Sequence, residues 1–170
     1  MQANRFSFYS KSLMAILFVF FAMAMPAMAQ AGNAAAKMKK LPNFSFYDLK
    51  GNKFSATQLK YDKYLTIVYF DPSCEHCIAQ TEAMIKQWSK FKNTKMVWVS
   101  ISDPEPIAEF KQKYFPKNND VIFLSDKDLK VFTYFPDIID TPTIMIYNKD
   151  KNRVAMLGET TVDKILQQYK

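Results

Sequence analysis

Two segments in the middle of the chain are almost continuously apolar and rich in β-branched and aromatic residues. They cover residues 64–70 and 96–101. Continuous apolar runs of this length are typical of strands that are covered on both faces of a sheet. Between them, from residue 74 to about residue 91, apolar residues recur with the 3.6-residue period of a helix. The order strand, helix, strand predicts a βαβ unit with a parallel pair and a right-handed crossover.

Shorter patterns extend this unit on both sides. Upstream, alternating residues 44–48 and a return over residues 53–55, joined across Gly51-Asn52, predict a β-hairpin. The fold class predicted is therefore α/β, a mixed central sheet flanked by helices, with this hairpin as an N-terminal extension. Downstream the predicted elements are a helix over 106–114, a strand over 121–124, a helical turn over 128–132, strands over 143–147 and 153–157, and a helix over 161–169.

The first residues have a different pattern from the rest of the chain. Arg5 and Lys11 precede an apolar run over residues 13–25, and Ala-Met-Ala follows at residues 27–29. This order is typical of a secretory signal peptide, and the run is shorter than the roughly 20 residues of a membrane-spanning helix. An uncleaved membrane anchor is the alternative interpretation. We predict a signal peptide over residues 1–29, a flexible leader over 30–40 and one domain over 41–170.

Composition and charge narrow the class of protein. A chain of 170 residues favours one domain over two. The formal net charge of +7 is spread along the chain rather than clustered, so it favours solubility and does not indicate a nucleic-acid site. With the signal peptide, we predict an exported, periplasmic protein with no stable membrane insertion after cleavage.

Both cysteines of the chain lie in one short motif, Cys74-Glu75-His76-Cys77. A disulfide between them would close a tiny loop and stabilise little, so a redox-active Cys74–Cys77 disulfide is the stronger interpretation. The motif lies where a predicted strand ends and a helix begins, and the free N–H groups and dipole of the first helical turn favour a thiolate at Cys74. Cys77 continues the apolar stripe one turn later. We predict that Cys74 attacks a substrate disulfide and that Cys77 resolves the mixed disulfide.

The two residues between the cysteines are predicted to modulate the pair. His76 is the only histidine in the chain, and an imidazolium or N–H donor beside the thiolate would stabilise it. Stabilising the reduced form makes a disulfide more oxidising. Glu75 would act in the opposite direction through its negative charge.

The motif after a central strand, together with Thr141-Pro142-Thr143 before a later strand, resembles the thioredoxin superfamily. Among its members the chain looks most like the exported TlpA/ResA-type proteins, over approximately residues 41–170. The resemblance implies a thioredoxin-like fold, a cis bond before Pro142, and Thr141 with Pro142 as the platform that pairs with an extended substrate. It implies a thiol–disulfide oxidoreductase without a cofactor, whose partners are protein thiols or disulfides and a further redox protein. Reduction is the favoured direction, with oxidation and isomerisation left open.

The chain departs from that family at positions close to the cysteines. An aromatic residue usually precedes the first cysteine, whereas this chain has Ser73, which could serve as a helix N-cap. Family members also place a buried acid near the resolving cysteine, at one of two positions that are Val68 and Gln80 here. Because neither residue can accept a proton, Glu75, His76 or water would have to deprotonate Cys77.

Three other functions are compatible with parts of the sequence. A peroxiredoxin-like peroxidase would carry a proline and a Thr or Ser at offsets that hold Ile67 and Asp71 in this chain, so its pattern is missing. A copper- or metal-handling protein could use the two thiolates and His76, yet no second histidine completes a site; no metal site is predicted. A binding module with incidental cysteines is disfavoured by their position at a helix N-terminus.

Overall fold

The computed structural model describes residues 39–117 and 120–169. Within these ranges seven strands form one mixed sheet, in the order β2-β1-β5-β4-β3-β6-β7. No helix in this described part of the chain is long and apolar enough to cross a membrane. The strands are β1 Ser45–Asp48, β2 Lys53–Ser55, β3 Tyr64–Tyr69, β4 Thr94–Ser100, β5 Ile122–Ser125, β6 Thr143–Asn148 and β7 Arg153–Leu157. The α-helices are α1 Glu75–Lys86, α2 Pro104–Tyr114, α3 Val131–Tyr134 and α4 Val162–Leu166, with 3₁₀ turns at Ala56–Gln58 and Trp88–Phe91.

The centre of the sheet is the predicted βαβ unit. Strand β3 pairs in parallel with β4, with Val68 opposite Trp98, and antiparallel with β6 on its other side. Strand β4 pairs in parallel with β5. Because β3, β4 and β5 run in the same direction, their carboxyl ends meet at one edge of the sheet. The chain leaves β3 at that edge and enters the Cys74 motif.

Alternate residues of β3 face two separate hydrophobic layers, as the two-residue period of a strand requires. Val68 and Phe70 pack in a layer that contains residues from α1, α2 and α4. Ile67 and Tyr69 pack in the opposite layer, with the residues of the N-terminal hairpin and α3. Every residue of β3 is buried, which is why its sequence reads as a nearly continuous apolar run.

Tyr169, the last described residue, is hydrogen-bonded to the sheet through a series of three hydroxyl groups. The Tyr169 hydroxyl lies 2.7 Å from Thr66 Oγ1, which in turn lies 2.9 Å from Thr94 Oγ1. Burial raises the pKa of Tyr169 to about 12. These bonds join the segment that follows α4 to β3 and β4, and Tyr169 packs against the hydrophobic layer that contains Cys77.

The structure differs from the predicted elements at the end of the first helix. The apolar period predicts a helix to about residue 91, but α1 ends at Lys86 because Gln87 leaves the helical conformation at φ −121° and ψ 23°. Trp88 and Phe91 continue the apolar period from a 3₁₀ turn, so their spacing does not require an α-helix.

The helical turn predicted at residues 128–132 instead forms as α3, which begins three residues later, at Val131. Leu129 has a positive φ of 55°, which interrupts a right-handed helix. The buried Asp126 carboxylate then accepts a hydrogen bond of 2.6 Å from the Val131 N–H, the first residue of α3. A side-chain acceptor thus fixes where this short helix begins.

The predicted signal peptide, residues 1–29, and residues 30–38 of the predicted leader lie outside the described residues. The last two leader residues make defined contacts. Lys40 forms a β-bridge with Asn152, and the Lys39 ammonium pairs with the Asp137 carboxylate. Lys39 and Lys40 therefore both contact residues of the predicted domain.

Candidate active site

The turn that carries the first cysteine is held by Asp71. Its carboxylate Oδ1 accepts hydrogen bonds from the Ser73 N–H at 2.8 Å and from the Ser73 hydroxyl at 2.7 Å. Its carbonyl accepts the Cys74 N–H at 3.2 Å. Ser73 is not the N-cap of α1, because the helix begins at Glu75 and Cys74 itself occupies that position, with its sulfur accepting the Cys77 N–H.

Cys74 is a half-exposed residue whose sulfur is surrounded by donors. Its Sγ accepts the Cys77 N–H at 3.4 Å and lies 3.8 Å from the Thr141 hydroxyl. Partial burial would raise the pKa of the Cys74 thiol, but donation from Cys77 and from the Thr141 hydroxyl outweighs it. The pKa of Cys74 therefore lies below its ordinary value, which favours the thiolate that acts as a nucleophile.

Cys77 has the opposite environment. Its side chain is only 1% exposed and belongs to the hydrophobic layer beneath α1. Burial raises the pKa of its thiol to about 12. Both cysteines are free thiols in this structure. The pair thus consists of one accessible, acidic thiol and one buried, weakly acidic thiol.

The side chains of His76 and Glu75 make no hydrogen bond to either sulfur atom in the described structure. The His76 side chain is largely exposed, and its Nδ1 lies 2.7 Å from the Glu159 carboxylate just after β7. It is the backbone N–H of His76 that contributes to lowering the pKa of Cys74. Glu75 is exposed, and its carboxylate makes no hydrogen bond or ion pair within residues 39–117 and 120–169.

The segment before β6 forms the wall opposite α1. The Thr141–Pro142 peptide bond is cis, and Pro142 is buried. The Thr141 carbonyl oxygen lies 4.0 Å from Cys74 Sγ. A groove of about 520 Å³ opens here, and Cys74, His76, Thr141 and Pro142 all line it. Of the predicted site residues, only Glu75 and the buried Cys77 do not line this groove, and Cys77 still contacts Cys74 through its N–H.

The two positions at which a buried acid was considered hold no proton acceptor for Cys77. Val68 is completely buried. Gln80 is 3% exposed, and its Oε1 accepts the Thr160 N–H at 2.8 Å. Its Nε2 has no hydrogen-bond partner in the described part of the chain. Gln80 thus joins α1 to the loop after β7, one helical turn beyond Cys77.

Several residues of the groove are not predicted by the sequence. Ile139, Asp140, Met156, Leu157 and Glu159 all line it. They reach Cys74 through the pairing of β6 with β3 and β7, and no local motif marks them. The only local signal is Gly158, which ends the predicted final strand.

The arrangement of possible metal ligands also bears on the metal-handling alternative. They contain no group of three or more His, Cys, Asp or Glu side chains arranged to hold an ion. The His76 imidazole contacts Glu159 and makes no hydrogen bond to the two sulfur atoms within the described ranges.

Comparisons with known proteins agree on the fold. A family model described as AhpC/TSA family matches residues 38–152. A comparison with curated proteins finds no match. Three solved structures have a similar fold. A secreted disulfide oxidoreductase of Mycobacterium tuberculosis homologous to E. coli DsbE is 17% identical, with 75% of this chain and 94% of that chain covered and a TM-score of 0.61. The thioredoxin domain of a thiol-disulfide oxidoreductase from Bacteroides vulgatus is 20% identical (78% of this chain, 97% of that chain, TM-score 0.63), and a peroxidoxin of M. tuberculosis is 15% identical (77% of this chain, 94% of that chain, TM-score 0.64).

These similarities confirm the predicted thioredoxin-like fold and are consistent with the resemblance to TlpA/ResA-type proteins. The matched family region runs from the first described residues through β6. It therefore includes the Cys74 motif, the Thr141–Pro142 bond and most of the groove between them.

Proposed function

The chain belongs to the AhpC/TSA family, and from this premise we propose that it is a thiol–disulfide oxidoreductase that exchanges two electrons with protein thiols or disulfides. The observation that carries the proposal is the difference between the two thiols. Cys74 faces a groove with a lowered pKa, while Cys77 lies buried beneath it with a pKa of about 12. Thiol–disulfide exchange needs one thiolate that attacks the client disulfide and a second thiol nearby that resolves the mixed disulfide.

In the reducing direction the Cys74 thiolate attacks one sulfur of a client disulfide. The client S–S bond breaks, a Cys74–client mixed disulfide forms, and the second client sulfur leaves as a thiolate. Cys77 then loses its proton and attacks Cys74 Sγ, which forms the Cys74–Cys77 disulfide and releases the first client sulfur as a thiolate. The client gains two electrons, and a dithiol donor returns the pair to its reduced form.

Reduction is the direction that we favour. A strongly oxidising pair needs a reduced form that is stabilised by a thiolate of low pKa. Here the donors around Cys74 compete with its partial burial, and the pKa of Cys77 is raised rather than lowered. The buried Cys77 thiol thus adds no thiolate stabilisation to the reduced form, which favours electron donation to clients.

Thr141 and Pro142 supply the client platform in this proposal. The Thr141 carbonyl borders Cys74 Sγ at 4.0 Å, and an extended client could pair with this backbone as an added strand. The predicted signal peptide over residues 1–29 supports action in the periplasm on exported proteins, with a separate redox protein as the electron donor.

Two cysteine variants test the proposal. The wild-type protein should reduce insulin with a dithiol donor, and Cys74→Ser should abolish that activity. Cys77→Ser should form a mixed disulfide with a client protein that persists until a reductant is added, because the resolving thiol is missing. Full turnover by Cys77→Ser, or a stable adduct on Cys77 in the Cys74→Ser variant, would contradict the assigned roles.

Peroxide reduction is a second candidate, because a peroxidoxin is among the proteins of similar fold. The Cys74 thiolate would attack one peroxide oxygen, which breaks the O–O bond, releases the other oxygen as hydroxide and leaves a sulfenic acid on Cys74. The Cys77 thiol would then condense with the sulfenic acid, which forms the Cys74–Cys77 disulfide and releases water. The residue three positions before Cys74 is Asp71, whose carboxylate is used by Ser73. We therefore expect hydrogen peroxide to oxidise Cys74 far more slowly than a client disulfide does. Comparable rate constants for the two oxidants would favour the peroxidase.

A further inference from the structure

The charged side chains that line the groove are nearly all acidic. The groove is lined by three acidic residues, Asp137, Asp140 and Glu159. Among the described lining residues, His76 is the only one with a basic side chain. The whole chain has the opposite balance, with 23 Lys and Arg against 16 Asp and Glu. The groove beside Cys74 thus has a charge sign that differs from that of the protein as a whole.

Two of these carboxylates are left to interact with a client. Asp137 is already paired with Lys39 and with Arg153, the latter at 2.7 Å. The Asp140 carboxylate accepts only the adjacent Thr141 N–H, at 2.7 Å, and pairs with no cation among the described residues. Glu159 contacts His76, which neutralises it only when the imidazole is protonated.

Much of the remaining groove wall is apolar. Ile139 is 95% exposed beside Asp140, and Pro142, Met156 and Leu157 line the same groove. An exposed isoleucine next to an open groove is suited to contact with an apolar client side chain. The site therefore offers an apolar surface with carboxylates at two points of its edge.

Resting on the proposed function, we propose that this groove selects extended protein segments in which Lys or Arg lies two residues from the reactive cysteine. In an extended chain, side chains two positions apart point to the same side. When the client cysteine faces Cys74, the residues at −2 and +2 therefore also face the groove. Asp140 directly precedes the Thr141 platform, and Glu159 lies on the side of α1, so each is in reach of a long cationic side chain.

Three peptides test the charge preference. Each is Xaa-Ala-Cys-Ala-Xaa with Lys, Gln or Glu at both Xaa positions, carries a self-quenching dye, and is joined to a second copy of itself through a disulfide. The reduced protein is mixed with each dimer, and the rate of fluorescence gain is divided by the rate with dithiothreitol. This division removes the effect of peptide charge on the disulfide itself.

The wild-type protein should reduce the Lys peptide about five- to tenfold faster than the Glu peptide at about 0.05 M salt, with Gln between them, as expected for exposed charge pairs. The preference should shrink at about 0.5 M salt, where such charges are screened. Asp140→Asn with Glu159→Gln should abolish it, while both side chains keep their hydrogen-bond acceptors. Asp62→Asn, at the opposite end of β3, is the matched control and should retain it.

Equal normalised rates for the three peptides would overturn the inference, and so would a preference that survives in the Asp140→Asn/Glu159→Gln variant. Either result would leave the proposed function intact, because the peptides would still be reduced. Failure of the wild-type protein to reduce any of the peptides would contradict the proposed function, and the inference with it.

Discussion

The resolving step should be limited by the ionisation of Cys77. With a pKa of about 12, the buried thiol is a thiolate in about one molecule in 10⁵ at pH 7, which corresponds to a cost of about 7 kcal/mol. Neither Val68 nor Gln80 can take the proton. We therefore predict that Gln80→Glu, which places a carboxylate one helical turn from Cys77, accelerates resolution at least about tenfold by general base catalysis.

A chromogenic aromatic disulfide separates the two steps. The first coloured thiolate is released when Cys74 attacks, and the second is released when Cys77 resolves the mixed disulfide. In the wild-type protein the second phase should become about tenfold faster for each unit of pH above neutrality, because the Cys77 thiolate fraction rises in that proportion. In Gln80→Glu the second phase should be faster at pH 7 and less steep with pH, while the first phase changes little.

The same substitution has a cost that can be measured. Burial raises the pKa of the introduced carboxyl above the value of about 4.3 that it has in the unfolded chain. The folded protein then holds this proton more tightly than the unfolded chain does. As pH rises above the pKa of the unfolded chain, the free energy of unfolding of the variant therefore falls. Urea unfolding should thus show a variant that is close to wild type at acidic pH and less stable at pH 7, and the kinetics must be compared where both are folded.

Gln80→Met is the matched control, because it keeps the size of the side chain and offers no proton acceptor. It leaves the Thr160 N–H without its acceptor, a loss of about 1–3 kcal/mol of stability, but it should resolve no faster than wild type. A Gln80→Glu second phase equal to those of wild type and Gln80→Met, or a wild-type phase that does not vary with pH, would refute ionisation of Cys77 as the limiting event.

Three further predictions concern single contacts. Thr141→Val should raise the pKa of Cys74 by about half a unit, since it removes one hydrogen bond worth roughly 0.5–1 kcal/mol; the pH dependence of alkylation measures this, and an unchanged midpoint would exclude the hydroxyl as a donor. His76→Pro should raise the pKa of Cys74 and lower the reduction potential, whereas His76→Ala should leave both nearly unchanged, because the backbone N–H rather than the imidazole acts on the sulfur; equal effects in glutathione buffers would contradict this. Tyr169→Phe should lower the free energy of unfolding in urea by about 1–2 kcal/mol without changing exchange activity, because it removes the buried bond to Thr66; a loss below about 0.3 kcal/mol would show that the bond contributes little.

The centre of the fold could be predicted because its signals are local. Every position from Tyr64 to Tyr69 is buried, and a strand buried on both faces has a nearly continuous apolar sequence, here broken only by Thr66. The Cys74 motif follows at once, so the strand, the turn and the helix N-terminus are read from one stretch of sequence. Their contact with Thr141 was available only through the family resemblance.

The helix boundaries were less predictable, because periodicity alone does not define them. Trp88 and Phe91 keep the apolar spacing after α1 has ended, and they do so from a 3₁₀ turn. The start of α3 depends on the carboxylate of Asp126 five residues upstream. Such a hydrogen bond depends on the three-dimensional path of the backbone and has no signal in the local sequence.

The groove wall could not be predicted, because its parts are distant in sequence. His76 and Glu159 are separated by 83 positions, and their contact follows from the pairing of β6 with both β3 and β7. The sequence did identify His76 as a candidate through its place between the cysteines. It could not show that the imidazole contacts a carboxylate rather than a sulfur atom.

The N-terminus of α1 and Thr141 lower the pKa of the accessible Cys74 thiol, while burial keeps Cys77 protonated. Alkylation of the reduced protein across a pH series, with each cysteine quantified separately by mass spectrometry, tests this most directly. Cys74 should be modified with a midpoint below that of the same cysteine in the urea-unfolded chain, and folded Cys77 should remain unmodified throughout. A Cys74 midpoint equal to or above the unfolded value, or modification of Cys77 before Cys74, would contradict the claim.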